Sequence, residues 1–203
     1  MFTFADKIIP RLGQKPDNAE WYVNAIWKSL NEYLTDIETT MYQPQFNIVG
    51  TTTTPAGVSV PIMANTGQIS NKHIRLSYPE VKAAMWCGDG KKTFPNLFKL
   101  IAEKITMNFT NISSTVIVTG ITSFVIAGAS EVYQNCGEMF MDEVLGLGEA
   151  GKMNPETFHN SFEFYLNYAF RLIPPITVPF VGAGVTPPGA FTGQAIISFS
   201  LVK

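Results

Sequence analysis

The sequence is poor in charged residues. Asp, Glu, Lys and Arg make up 15% of its 203 residues, against about 25% in ordinary globular proteins. The net charge is −2, so no overall field would attract nucleic acid or anionic lipid. A hydrophobic fraction of 46% excludes a disordered chain. We therefore expect a folded protein that binds neither nucleic acid nor membrane.

Cysteine and histidine are also scarce, with two of each. Cys87 and Cys136 are too few for a disulfide framework, and we interpret them as buried thiols, with a single bridge as the alternative. The cysteines form no C-x-x-C motif, and His73 and His159 form no H-x-x-x-H motif. The sequence therefore predicts no metal site and no cofactor.

Long hydrophobic runs are absent too. The longest, STVIVTGITSFVIAGA, contains Thr119 and Gly120 and is shorter than the roughly 20 residues of a membrane helix. The start, MFTFADKIIPRLGQ, has no apolar run long enough for a secretory signal. We expect the protein to be made in, and to stay in, the cytoplasm unless it is built into a particle.

The few charges are segregated along the chain. Residues 39–71, 105–130 and 172–202 contain no Asp, Glu, Lys or Arg. These three charge-free tracts are rich in Thr, Val, Ile and Phe, which favour strands. Alternation in AIISFSLV, near the end of the chain, is typical of a half-buried strand, and Thr119-Gly120 suggests a turn between two strands.

Each tract follows a segment with helical periodicity. The helices are predicted in DNAEWYVNAIWKSLNEYLTDIETTM, FPNLFKLIAEKITMNF and NPETFHNSFEFYLNYAFRLI, with a fourth in SEVYQNCGEMFMDEVLGLG. Asp17 or Asn18 would cap the first, and Asn154 the third. The sequence thus predicts an α+β fold, with amphipathic helices packed on a mainly antiparallel sheet built from the three tracts. We expect one domain, 1–203, possessing helix-then-strand pseudo-repeats at about 17–71, 95–130 and 154–203.

Motifs that would carry catalysis are missing. WCGDGKKTF has one lysine too many for a phosphate loop and Met85 where the first glycine should stand, so we interpret it as a polar turn. The carboxylates Glu138, Asp142 and Glu143 fit a solvated helix face. We therefore predict no catalytic residue, and the protein is not expected to be an enzyme.

Uncharged strands need cover, because a neutral strand invites pairing with another chain. A chain of this size can bury part of its tracts in its own core, and other subunits would cover the rest. We expect contacts with copies of itself and with other structural subunits. The predicted contact residues lie in the last tract: Thr186, Pro187, Pro188, Phe191, Ile197, Phe199 and Leu201.

The tracts GTTTTPAGVSVPIMANTGQ and GVTPPGAFTGQAIISFSLVK carry a resemblance. In their Thr/Gly/Pro-rich turns and lack of charge they resemble virion proteins of tailed bacteriophages, of the tail, neck or baseplate type. The resemblance implies a structural subunit of a symmetric homo-oligomeric assembly, located in the virion and made in the host cytoplasm. The alternative is a small-molecule-binding protein or enzyme with a pocket lined by the aromatic helices.

Overall fold

A computed structural model gives the fold. It describes residues 3–13, 18–40, 45–64, 68–70, 74–86, 88–110, 118–185 and 188–198. The chain divides into two compact units, and each is assembled from three separate stretches. A helical unit comprises 1–41, 73–105 and 127–173, and a sheet unit comprises 42–72, 106–126 and 174–203.

The division follows the charge pattern. The three stretches of the sheet unit coincide with the three charge-free tracts to within a few residues. Lys72 and Lys203 are the two charged residues of the sheet unit, so the helical unit carries the other 28 of the 30 in the chain. The sparse charge of this sequence is therefore a property of one unit.

The predicted α+β class is confirmed. In the described part of the chain the helical unit contains six α-helices and a short 3-10 turn at Gly90–Lys92. The helices are α1 (Phe4–Leu12), α2 (Ala19–Thr40), α3 (Tyr78–Met85), α4 (Thr93–Lys104), α5 (Ala129–Glu149) and α6 (Pro155–Arg171). The four predicted helices correspond to α2, α4, α5 and α6, although α4 ends before the predicted segment does. The 3-10 turn falls in the predicted polar turn of WCGDGKKTF.

Helix starts are fixed by short polar side chains. The Asn18 side chain accepts a hydrogen bond from the Trp21 amide at 2.7 Å, which identifies Asn18 rather than Asp17 as the cap of α2. Asn154 caps α6 by accepting from the Thr157 amide at 2.8 Å, as predicted. Capping boxes at Thr3 and Ser77 start α1 and α3.

The helical core is built from the apolar faces of the helices and from aromatic rings. Val23, Ile26, Leu30 and Leu34 of α2 are buried, at the spacing of three and four residues that places them on one face of the helix. Rings from α4, α5 and α6 meet edge to face, for example Phe98 and Phe162 with centroids 5.2 Å apart. Cys136 is buried on α5 as a free thiol, and burial raises its pKa. Cys87 lies outside the described residues.

The sheet unit is antiparallel throughout its described pairs. Its strands are β1 (Gln45–Thr53), β2 (Ser59–Ala64), β3 (Gln68–Ser70), β4 (Thr106–Thr110), β5 (Val118–Val125), β6 (Ile176–Val185) and β7 (Pro188–Ser198). The strand order is β2-β1-β7-β6-β5-β4-β3, six strands of five residues or more with the three-residue β3 at one edge. A turn at Thr54–Gly57 joins β1 to β2, with the Gly57 amide donating to the Thr54 carbonyl at 2.8 Å.

The sheet curls over its own apolar face. Four strand spacings of about 4.8 Å would separate β1 from β4 by roughly 19 Å in a flat sheet. The rings of Phe46 on β1 and Phe109 on β4 are nevertheless 5.2 Å apart. Phe109 also stacks on Phe180 of β6 at 5.3 Å. The sheet unit therefore encloses a core made of its own side chains.

Two pairs of facing glycines make room for that core. Gly50 is the register partner of Gly193, and Gly120 is the partner of Gly182. A Cβ at Gly193 would lie 2.9 Å from the Phe191 ring, and one at Gly120 would lie 2.5 Å from the Phe180 ring. Each ring thus lies against a glycine of the neighbouring strand, Phe191 against Gly50 and Phe180 against Gly120. The predicted turn at Thr119-Gly120 is wrong. Gly120 lies inside the continuous strand β5, where its lack of a side chain leaves room for the Phe180 ring.

Replacing Gly193 by Ala should destabilise the sheet unit. The new Cβ would lie 2.5 Å from the Val49 carbonyl oxygen and would press on Phe191, an overpacking that costs about 1–3 kcal/mol. Urea unfolding followed by circular dichroism measures the loss. Gly148→Ala is the matched control, since a Cβ there meets open space in α5 and should stabilise by up to about 1 kcal/mol. Equal midpoints for both variants would contradict the role of the glycine pair.

Candidate interaction surface

The sheet unit has a second face that remains exposed. Along β1, β2, β6 and β7, side chains alternate between the core and this surface, as the period of a strand requires. We call the exposed set the outer face. It consists of Asn47, Val49, Thr51, Thr53, Ser59, Pro61, Met63, Thr177, Pro179, Val181, Ala183, Ala190, Thr192, Gln194 and Ile196.

Strand register arranges the outer face in continuous rows. One row runs from Met63 through Val49 and Gln194 to Pro179. The next runs from Pro61 through Thr51 and Thr192 to Val181. Side chains directly opposite on neighbouring strands lie about 4.5–5.5 Å apart at Cβ, so each row is a contiguous surface. β7 lies at its centre, between β1 and β6.

The outer face combines apolar exposure with an absence of charge. Val49 is 50% exposed, Met63 64%, Val181 65% and Ile196 43%. None of the described side chains of this face is charged. Contact surfaces between proteins are depleted of charge at their centres, whereas ordinary solvent-facing sheets carry charged residues. The outer face therefore shares its lack of charge with the centres of protein interfaces.

The predicted contact residues fall on different parts of the structure. Phe191 and Ile197 are completely buried in the core of the sheet unit, so the chain itself covers them. Pro188 begins β7 and pairs with Val185 of β6. Thr186, Pro187, Phe199 and Leu201 lie outside the described residues. A contact through those four stays a prediction.

The described predicted residues Phe191 and Ile197 and the outer face lie on opposite sides of the same strand, β7. Alternation in AIISFSLV places Ile197 on one face of the strand and Ile196 on the other. The contact residues predicted in this stretch are those of the face that contains Ile197. Phe191 occupies the same face as Ile197, whereas Thr192, Gln194 and Ile196 form the centre of the outer face. The residues of the Ile196 face lack charge as well, and this was the sequence signal that could have identified that face as a candidate surface.

In the helical unit the aromatic side chains form a core. Phe94, Phe98, Phe140 and Phe162 contact one another at centroid distances of 5.2–6.2 Å. A groove of about 520 Å³ lies elsewhere in the unit. It is lined by Lys7, Trp27, Asn31, Glu32, Thr35, Asp36, Arg75 and Leu76.

Most polar groups in this groove already have a structural task. The Asn31 side chain accepts from the Leu76 amide at 2.9 Å and donates to its carbonyl at 3.0 Å. Trp27 donates its indole N–H to the same carbonyl at 2.6 Å, and Lys7 pairs with Asp36 at 2.5 Å. These bonds hold the segment before α3 against α2. The groove is thus formed by packing contacts between secondary elements.

One cluster of ionisable groups is buried where α1 meets α6. Glu163 accepts a hydrogen bond from the Phe4 amide at 2.8 Å, which satisfies the first amide of α1. Burial raises the pKa of Glu163 and, together with the nearby Glu163 charge, raises the pKa of Tyr33. The Tyr33 hydroxyl donates to Asn167 at 3.0 Å. These contacts stabilise the docking of α1.

His159 lies beside this cluster and is 2% exposed. Its Nδ1 donates to the Pro155 carbonyl at 2.6 Å, so the neutral ring carries its proton there. Nε2 is buried without a hydrogen-bond partner among the described residues. Burial lowers the pKa of His159, although the bond to Pro155 acts in the opposite direction. Protonation of Nε2 would place a charge among aromatic rings.

The described part of the chain contains neither a metal-binding cluster nor a membrane-spanning helix. No three His, Cys, Asp or Glu side chains there are grouped so as to hold a metal ion. Each helix in that part is too short or too polar to cross a lipid bilayer.

No family model, curated protein or solved structure matches this chain. Inferences about its function therefore depend on its own residues.

His159 should make stability depend on pH. Its pKa is lower in the folded than in the unfolded chain, so the unfolded chain binds the additional proton as pH falls below about 6.5. The contribution of the neutral His159 ring to the free energy of unfolding is therefore present above that pH and is lost below it. For one proton the loss is at most about 1.4 kcal/mol per pH unit. As the pH is lowered from 7.5 to 5, the urea midpoint of His159→Phe should fall less steeply than that of the wild type.

The other histidine supplies the control. His73→Gln should keep the wild-type slope, because the effect is assigned to His159. The raised pKa of Glu163 acts with the opposite sign, since a folded chain that holds its proton more tightly is stabilised as pH falls. Comparing variants at each pH removes that shared contribution. Identical slopes in all three proteins would contradict the assignment.

Proposed function

We propose that this protein is a structural subunit of a symmetric assembly and acts through contacts between subunits. The supporting observation is the outer face, a contiguous exposed sheet surface with four large apolar side chains and no charge. Exposed apolar surface of this kind marks sites of protein association. Its partners are copies of itself and other structural subunits of the same particle.

The particle we propose is the virion of a tailed bacteriophage, with the protein in the tail, neck or baseplate. The support is the resemblance of its Thr/Gly/Pro-rich tracts to virion proteins, and those tracts form the sheet unit. The gene context tests this assignment. Neighbouring genes for capsid, portal or tail-sheath proteins would support it, and neighbours from a metabolic operon would contradict it.

A role as a small-molecule-binding protein or enzyme is the second candidate. The groove of about 520 Å³ has a volume within the usual range of ligand pockets. It ranks below assembly because Trp27 is its one aromatic lining residue, and its Asn31 and Lys7 side chains are engaged in bonds within the chain. We therefore assign no catalytic residue and no cofactor.

Analytical ultracentrifugation of the purified chain tests the assembly role. The wild type should sediment as an oligomer, and Val181→Lys should shift it towards monomer. An unpaired lysine buried in a contact costs several kcal/mol, so the dissociation constant should rise at least 100-fold. Val181 is 65% exposed, which makes the variant compatible with folding, and circular dichroism verifies this.

Met139→Lys is the matched control. Met139 is an exposed apolar residue of α5 in the helical unit, 46% exposed, and lies outside the proposed surface. This variant should sediment like the wild type. A wild-type chain that stays monomeric at high concentration, alone and with the other particle proteins, would overturn the proposed function.

A further inference from the structure

We propose that the outer face docks against the outer face of a second copy of the same chain, about a two-fold axis close to Thr192. This inference deepens the proposed function by naming the partner of the surface and rests on it. The resulting contact is a sheet packed face to face on an identical sheet. Its centre is β7, the middle strand of the exposed region.

The charge distribution supports a second copy as the occupant. A surface without charges offers no counter-ion, so a partner that brings charged side chains would have to bury them unpaired. The helical unit carries 28 of the 30 charged residues of the chain. The outer face has none among its described side chains, so each copy offers the other an uncharged surface.

The area is sufficient for a stable contact. The strands β2, β1, β6 and β7 have six, nine, ten and eleven residues. With a rise of about 3.3 Å per residue and a spacing of about 4.8 Å, they cover about 570 Å² of flat sheet. Because the sheet curls away from this face, two copies would bury at most about twice that area, which reaches the roughly 1,000 Å² expected of a specific interface when most of the outer face is in contact.

The side chains suit face-to-face packing. Thr, Val, Ala, Ser and Pro make up most of the outer face, and their short side chains allow two sheets to approach to about 10 Å. In a two-fold contact a residue near the axis meets its own copy. Thr192 occupies the middle of β7, between Thr51 of β1 and Val181 of β6, and is placed to do so.

A charge-swap experiment tests the two-fold contact. Thr192→Lys and Thr192→Glu are made separately in the full chain, and each is expected to dissociate, with a dissociation constant at least tenfold above that of the wild type. Like charges meet across the axis in each variant. An equimolar mixture of the two should restore a dimer of one Lys and one Glu copy, detected by native mass spectrometry. Thr192→Val is the uncharged control and should associate like the wild type.

The outcomes separate this inference from the proposed function. If both charged variants dissociate and their mixture does not recover, the outer face is a contact, but its partner is a different surface, and the two-fold inference is overturned. If both variants assemble as the wild type does, the outer face is not the contact at all. If the wild type is monomeric alone yet joins other particle subunits, the proposed function stands and the second copy is excluded as the occupant.

Discussion

The fold of the sheet unit depends on two aromatic rings packed against facing glycines. Phe191 lies against both Gly50 and Gly193, and Phe180 lies against Gly120, the register partner of Gly182. Side chains at the glycine positions would push the rings away from the sheet. Because the rings lie low, strands four apart in the sheet meet across one core, as the 5.2 Å distance from Phe46 to Phe109 demonstrates. The sheet can therefore bury an apolar face with its own residues.

The curl of the sheet over its own apolar face explains how the sheet unit can do almost without charged residues. The inward positions of the strands are filled by apolar side chains and glycine, which need no charge. The charged residues are concentrated in the helical unit, which carries 28 of the 30. The curl of the sheet does not explain the lack of charge at its outward positions, since a solvated face would normally carry charged residues. The lack of charge at those positions is the part of the pattern that points to a partner.

Sequence reasoning predicted elements well where the signal was local. Helical stripes and caps such as Asn154 depend on neighbours within one or two turns, and the structure contains them. It failed at Gly120, because the reason for that glycine is Phe180, which is 60 residues away. It also placed Phe191 at a contact surface, because a strand with no charge on either side gives no sign of which face is buried. Register and curl are long-range properties, and one sequence did not reveal them.

An uncharged sheet must still avoid pairing with the strands of other chains along its edges. A proline in the edge strand β2 opposes such pairing. β2 forms one edge of the sheet, and Pro61 within it has no amide to donate to an added strand. Proline at this position discourages growth of the sheet sideways, while its ring remains part of the outer face. Thr51, Thr192 and Gln194 place polar atoms among the apolar side chains of that face, so a partner must match them in position. Under the proposed function, face-on contact between copies would then be favoured over edge-on aggregation.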